Sequence, residues 1–287
     1  MNDLNKIVKR IDEVTAPLRE VMESISKSIS PAILRLNEAL VPATKQFSEF
    51  AKTYQPLLTL IGVTLATAAD AAQKWQTARK EDVVVMADNG WYPNWLTFFY
   101  APETEPSSLD DLMSLHLNEN WEDLTSKIIE LCPNRGHILR NAFDLHRSGN
   151  YIAAIPLFLS QADGICCESL KSFLFTGNET EENIKKLIDS GGIEANFFID
   201  IFLEPFKLKN HHNAGISKST QAAKSKAPNR NGILHGHRKH LDYGTEVNSL
   251  KCFSLLSFIV YAVKELMIES NKSLKVDGLQ PRPELER

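Results

Sequence analysis

Near the amino terminus, apolar residues fall at Ile7, Ile11, Val14, Leu18, Val21 and Ile25, alternating steps of four and three. That spacing is the seam of a heptad helix, a narrow apolar stripe that faces a partner or folds back on itself. Prolines at 17, 31, 42 and 56 punctuate the pattern. Each lacks a backbone N–H and disturbs a helix interior. Ser30-Pro31 reads as an N-cap followed by the first helical residue. Residues 1–80 are therefore expected to be a helical arm, in several pieces or as one long kinked helix, that oligomerises or packs on itself. Its alternative use is contact with a protein partner or a membrane surface through Pro56–Ala69. The uncharged run Thr53–Ala69 has 17 residues, short of the ~20 apolar residues that a membrane span requires.

Residues 81–130 are expected to be a junction segment. Gly90-Trp91-Tyr92-Pro93-Asn94-Trp95 opens an aromatic, proline-marked stretch, and Pro102, Glu103, Glu105 and Pro106 read as loop. The aromatics have acidic neighbours, which favours packing over base stacking. Beyond them the helical period returns: Ile138, Leu139, Ala142, Phe143 and Leu145, then Tyr151–Cys167, then Leu250–Leu266. Only Asp82–Met86 reads as a short strand, and strands do not alternate with helices. The fold class is all-α, with a helical domain over 131–270 and a flexible tail over 271–287.

Composition adds little to this picture; charge placement adds more. The chain has 287 residues, 43% hydrophobic and 24% charged, as expected of a soluble globular protein. Met1–Lys6 has no export-signal character, and four cysteines (132, 166, 167, 252) without ligand spacing point to free thiols in the cytoplasm. From Lys207 to His240, however, eight lysines and arginines occur without one acid: Lys207, Lys209, Lys218, Lys224, Lys226, Arg230, Arg238 and Lys239. The net charge is −4, so the remainder of the chain carries −12 against +8 here. Such a strip suits a phosphate backbone, with Lys218, Lys224, Lys226, Arg238 and Lys239 as RNA-binding candidates.

Within the strip, Arg230-Asn231-Gly232-Ile233-Leu234-His235 sets an arginine and a histidine with four residues between them. Histidine is the side chain that ordinarily titrates near neutral pH; arginine is a permanent cation with a planar donor fork. RNA carries its own nucleophile, the 2′-hydroxyl. Metal-free cleavage therefore needs only a base for that proton, here His235, and a cation for the developing phosphate oxyanion, here Arg230. The product is a 2′,3′-cyclic phosphate, and DNA is spared. At ~100° per residue, Arg230 lies about 140° from His235 on a helix, so it must reach round or stand at the helix start. Asn231 is one turn before His235, placed to orient the imidazole or hold a phosphate oxygen. A second pair, Arg140 and His146 with five residues between, sits in an apolar helical pattern and is read as structural.

Asn229–Gly236, followed by Asp242-Tyr243-Gly244-Thr245 and the apolar helix Leu250–Leu266, resembles the signature of HEPN domains. These are small helical modules found in toxins, antiviral systems and other RNA-cleaving proteins. Tyr151–Ile165 is also similar to an early helix of some of them. The resemblance covers about 133–268. It implies a helical bundle that forms a homodimer or higher oligomer with two motifs facing a shared cleft. It also implies metal-independent RNase activity with RNA as partner and no cofactor, in a toxin or antiviral effector. Asp163 is the only charged residue between Tyr151 and Cys167, and burying a carboxylate alone is costly. In the implied bundle, Arg230 or His235 is a candidate partner that Asp163 would orient; otherwise it caps a break at Gly164.

Two readings compete with catalysis. His235, His237 and His240, with His211-His212 upstream, are potential zinc ligands. Arg238 and Lys239 would repel a dication, however, so no metal is expected. The stronger alternative is a non-catalytic RNA-binding or scaffold protein that uses the same 207–240 strip.

Overall fold

The computed structural model describes residues 47–175, 180–189, 199–208, 210–216 and 226–265. The heptad seam, Ser30-Pro31, Lys209, Lys218, Lys224 and the 271–287 tail lie outside the described residues. Every regular element among the described residues is helical. No described helix is long and apolar enough to cross a membrane.

Helix α1 spans Phe47–Asp88 and continues across Pro56, where the sequence suggested a break. It also absorbs Asp82–Met86, which is helix and not strand. Val83, Met86 and Ala87 are buried while Val84 is exposed. This three-and-four spacing is that of a helix face, and it overrides the β-propensity of a valine run. The chain divides into two compact units between Arg79 and Lys80, and the elements from Lys80 onward build the second.

The aromatic segment enters the core of that unit: Trp91, Tyr92 and Phe98 are buried, and Trp95 meets Phe202 edge-on at 4.5 Å. Helix α2 (Leu109–Glu119) starts at Ser108, whose hydroxyl accepts the Asp111 N–H, with Asp110 and Asp111 in its first turn. Helices α3 (Trp121–Leu131), α4 (Gly136–Arg147) and α5 (Tyr151–Leu170) follow. Next come α6 (Thr180–Asp189), α7 (Ile199–Lys207), the short α8 (Arg230–Leu234) and α9 (Glu246–Ile259), which runs into a π-helical stretch, Val260–Glu265.

Helix α9 is the axis of the core. Every side chain from Ser249 to Ile259 is buried, which explains why apolar residues surround this helix instead of forming one stripe, with Lys251 and three serines among them. Helix α5 packs against both α9 and α4. Phe253 of α9 lies 4.3 Å from Trp121, 5.7 Å from Phe158 and 5.8 Å from Phe143, between ring centroids. Each such ring contributes roughly 1.5–3 kcal/mol by burial. His146 stacks on Trp121 at 4.4 Å and its Nδ1 lies 2.9 Å from the Ser249 hydroxyl. It belongs to the core, while Arg140 is exposed.

Pro156 interrupts the hydrogen bonding of α5, since it has no N–H to give the Ile152 carbonyl. The Tyr243 hydroxyl donates to that carbonyl instead, at 3.1 Å. Gly244 lies so close to Ile152 that a Cβ would approach its Cγ1 to 2.4 Å. The loop before α9 is thereby docked onto the start of α5. All four cysteines are free, and three of them (132, 166, 252) are buried. Burial pushes the Cys166 thiol up to about 12.

Candidate functional site

Helix α8 is barely more than one turn, and its ends are set by side chains of its own sequence. The Asn229 carboxamide oxygen accepts the Gly232 N–H at 2.7 Å, while its NH2 donates to the Ala214 carbonyl at 2.7 Å. One residue thus caps α8 and ties it to the preceding segment. Arg230 is the first helical residue and His235 the C-cap, its N–H bonded to the Asn231 carbonyl at 3.1 Å. Arginine and histidine therefore bracket the helix. The His235 side chain is exposed. Between them, Gly232 is required by packing: a Cβ there would lie 2.2 Å from the ring of buried His240.

The surroundings of Arg230 form a closed circuit. Its Nη1 donates to Asn231 Oδ1 at 3.0 Å, and Asn231 Nδ2 donates to Asn213 Oδ1 at 3.3 Å. Asn213 Nδ2 donates to the Phe175 carbonyl at 2.7 Å, and the Phe175 N–H donates to Asp163 Oδ1 at 3.3 Å. Arg230 Nη2 stands 3.7 Å from Asp163 Oδ2, which closes the ring. The guanidinium also lies 5.4 Å from the centroid of the Phe175 ring, within cation–π range. Asp163 is buried, so its charge is balanced by a backbone donor and a cation. Asn231 points its carboxamide to Arg230 and Asn213.

The basic strip is free of acids in sequence but not in space. Lys226 Nζ lies 2.6 Å from Asp88 Oδ2, and His211 Nε2 lies 3.2 Å from Asp88 Oδ1. The bonded Lys226 ammonium holds the Asp88 carboxyl below its ordinary range. Lys207 pairs with Glu204 at 2.8 Å. Arg238 and Lys239 are exposed, on the 3-10 turn beyond His235. Of the cationic candidates that are described, these two and Arg230 are the ones aligned with the motif.

Sequence reasoning missed Lys251. It is 2% exposed in α9, 3.1 Å from Asp110 Oδ1, and it donates to the Lys226 carbonyl at 2.8 Å. Trp91 lies beneath it at 5.3 Å and donates its indole N–H to the same Asp110 oxygen at 2.7 Å. Burial lowers the Lys251 pKa, opposed by Asp110. The main chain entering the motif is thus held from below. Its only sequence signal is a lone lysine in an otherwise uncharged run, the mirror of Asp163 in α5.

The remaining histidines are dispersed. His212 is fully enclosed, donates through Nδ1 to the Pro228 carbonyl at 3.2 Å, and burial lowers its pKa to about 3. His240 is buried under Gly232, and His211 faces Asp88. Among the described residues, no group of three or more His, Cys, Asp or Glu is gathered as a metal site would require.

Comparison of the chain with protein-family models, with curated proteins and with solved structures finds no match.

Proposed function

We propose that this protein is a metal-independent endoribonuclease, a HEPN-type helical domain with Arg230 and His235 as its catalytic pair. The observation that carries the reading is the placement of α8. Arg230 stands at its start, oriented by Asp163 and Asn231, and His235 at its end, exposed to solvent beside Arg238 and Lys239. The bound guanidinium keeps about a quarter of its side chain accessible, enough to meet a phosphate.

In the reaction, neutral His235 takes the 2′-hydroxyl proton. The 2′-oxygen bonds to the adjacent phosphorus and the P–O5′ bond breaks. The 5′-oxygen leaves as an alcohol, taking its proton from water. Arg230 balances the charge that gathers on the non-bridging oxygens, where preorganised donors act most strongly. The products are a 2′,3′-cyclic phosphate and a 5′-hydroxyl end. The partner is RNA, gripped through Arg238 and Lys239, with no cofactor. Two copies facing each other across the motif would form the working unit, residues 1–80 would serve as an assembly or sensing arm, and the biological setting would be a toxin or antiviral effector of the cytoplasm.

The test is direct: incubate purified protein with RNA in EDTA and examine the 3′ ends. Cyclic phosphate ends that vanish with His235→Ala support the reading. Cleavage that requires a divalent ion, or that cuts DNA equally, overturns it. Exposed Arg238 and Lys239 equally favour the second reading, RNA binding without cleavage. That reading predicts salt-sensitive binding unchanged by His235→Ala.

A further inference from the structure

We infer that Asn213 is a positioning residue for Arg230, acting through Asn231; the inference rests on the catalytic reading above. Asn213 lies 17 residues before the arginine, on the 3-10 turn His211–Asn213, outside the motif. Its own turn is fixed: Asn210 Oδ1 accepts the His212 N–H at 3.0 Å, and enclosed His212 bonds to the Pro228 carbonyl. Asn213 therefore sits on a turn pinned by bonds at the neighbouring residue.

The direction of the hydrogen bonds assigns the role. Each donor in the circuit points the same way: Arg230 to Asn231, Asn231 to Asn213, Asn213 to the Phe175 carbonyl, and the Phe175 N–H to Asp163. The chain begins at a cation and ends at a carboxylate, and the two asparagine carboxamides carry the donor direction from Arg230 to the Phe175 carbonyl. A carboxamide can swap its oxygen and nitrogen by rotating about its last bond. Arg230 can only donate, so it already selects the Asn231 oxygen. Asn213 Oδ1, accepting from the Asn231 nitrogen, holds the other end of the same carboxamide and so fixes where its oxygen stands. Arginine has a long, freely rotating stem, and its fork is useful only when its plane is set. Asn231 fixes one edge of the fork, Asp163 the other, and the Phe175 ring its face. Asn213 is the residue that touches two of these three supports.

This assignment predicts an effect on the chemical step more than on RNA binding. Cleavage of one RNA in EDTA is measured at limiting and saturating concentrations for wild type, Asn213→Ala, Asn231→Ala and the double variant, with thermal unfolding alongside. Asn213→Ala is expected to lower kcat by about 10- to 10²-fold, the scale of an ångström's misplacement, with KM within about twofold. In the Asn231→Ala background the same change should cost little more, because both act through one bond. Asn213→Gln keeps both the acceptor for Asn231 and the donor for the Phe175 carbonyl and should be faster than the alanine variant. An unchanged kcat for Asn213→Ala, or losses that multiply in the double variant, overturns the inference and leaves the catalytic reading intact. So does an Asn213→Gln protein that is folded yet as slow as the alanine variant; if Asn213→Ala does not fold, an Asn213→Gln protein whose kcat does not change when Asn231→Ala is added overturns the inference as well. Wild-type protein that makes no cyclic phosphate ends in EDTA overturns the reading, and the inference with it.

Discussion

At the scale of single residues, the two arginine–histidine pairs are separated by what lies around them. His146 is stacked on Trp121 and bonded to Ser249, whereas the His235 side chain is exposed at the end of α8. His235→Ala is expected to slow RNA cleavage by ~10²–10⁴-fold, the usual worth of a general base. Arg230→Ala should cost on the order of 10²–10³-fold, and the double variant should fall far short of the product of the two. His146→Ala should lower the melting temperature while leaving kcat of the folded protein close to wild type. Replacing the 2′-hydroxyl of the substrate by hydrogen should stop cleavage. The lysines also divide by surroundings. Lys226→Glu would set a carboxylate against Asp88 and report on folding, so RNA contact is better read from Arg238 and Lys239. Reversing both to Glu should flatten the salt dependence of single-stranded RNA binding by about 1.4, at ~0.7 per phosphate contact. An unchanged slope would mean that this turn faces solvent only.

At the scale of elements, a one-turn helix such as α8 has no stability of its own, because nucleation is costly and too few hydrogen bonds repay it. Its neighbours hold it: Asn229 from within, His240 against Gly232, and Lys251 through the Lys226 carbonyl. Lys251→Met keeps the side-chain length but strands the Lys226 carbonyl and leaves the Asp110 carboxylate to Trp91 and solvent. The expected loss is about 1–3 kcal/mol of unfolding free energy, read by denaturant titration, together with weaker amide-exchange protection over 226–236. A variant as stable as wild type would show that the ammonium contributes no net support. The docking of the Tyr243 loop onto α5 has the same logic, since the proline in α5 creates the acceptor that the tyrosine fills.

At the scale of the whole molecule, three of the buried histidines, His116, His146 and His212, are held neutral. Burial lowers His116 and His212 to about 3 and His146 to about 4, against ~6.5 in an unfolded chain. Between those values the unfolded chain binds more protons, so stability rises with pH. It should be full above about pH 6.5 and decline steadily as pH falls toward 4 and 3, which melting temperatures across that range will show. Asp88 adds a separate loss at lower pH, as its lowered carboxyl finally takes up a proton and releases Lys226. Assembly is the other molecular property at stake. If two motifs share a cleft, sedimentation of the full chain should give a dimer or larger species. A monomer with full activity would end that idea.

The sequence by itself determined the all-helical class, the chemical types at the motif and the lone charge Asp163, whose burial demanded a partner. These are local properties: a period of 3.6, a composition, a spacing. It misled where local preference met a longer element, as with the valine run at 83–85 that α1 carries on as helix. Who partners whom was decided only by tertiary structure. Asn213 and Asn231 stand 18 residues apart and Lys226 and Asp88 stand 138 apart, and no periodicity encodes such distances. The same holds for the orientation of Arg230. It depends on Phe175 and Asp163 from another helix and its following turn, and a hydrogen-bond circuit exists only once the core has brought its members together.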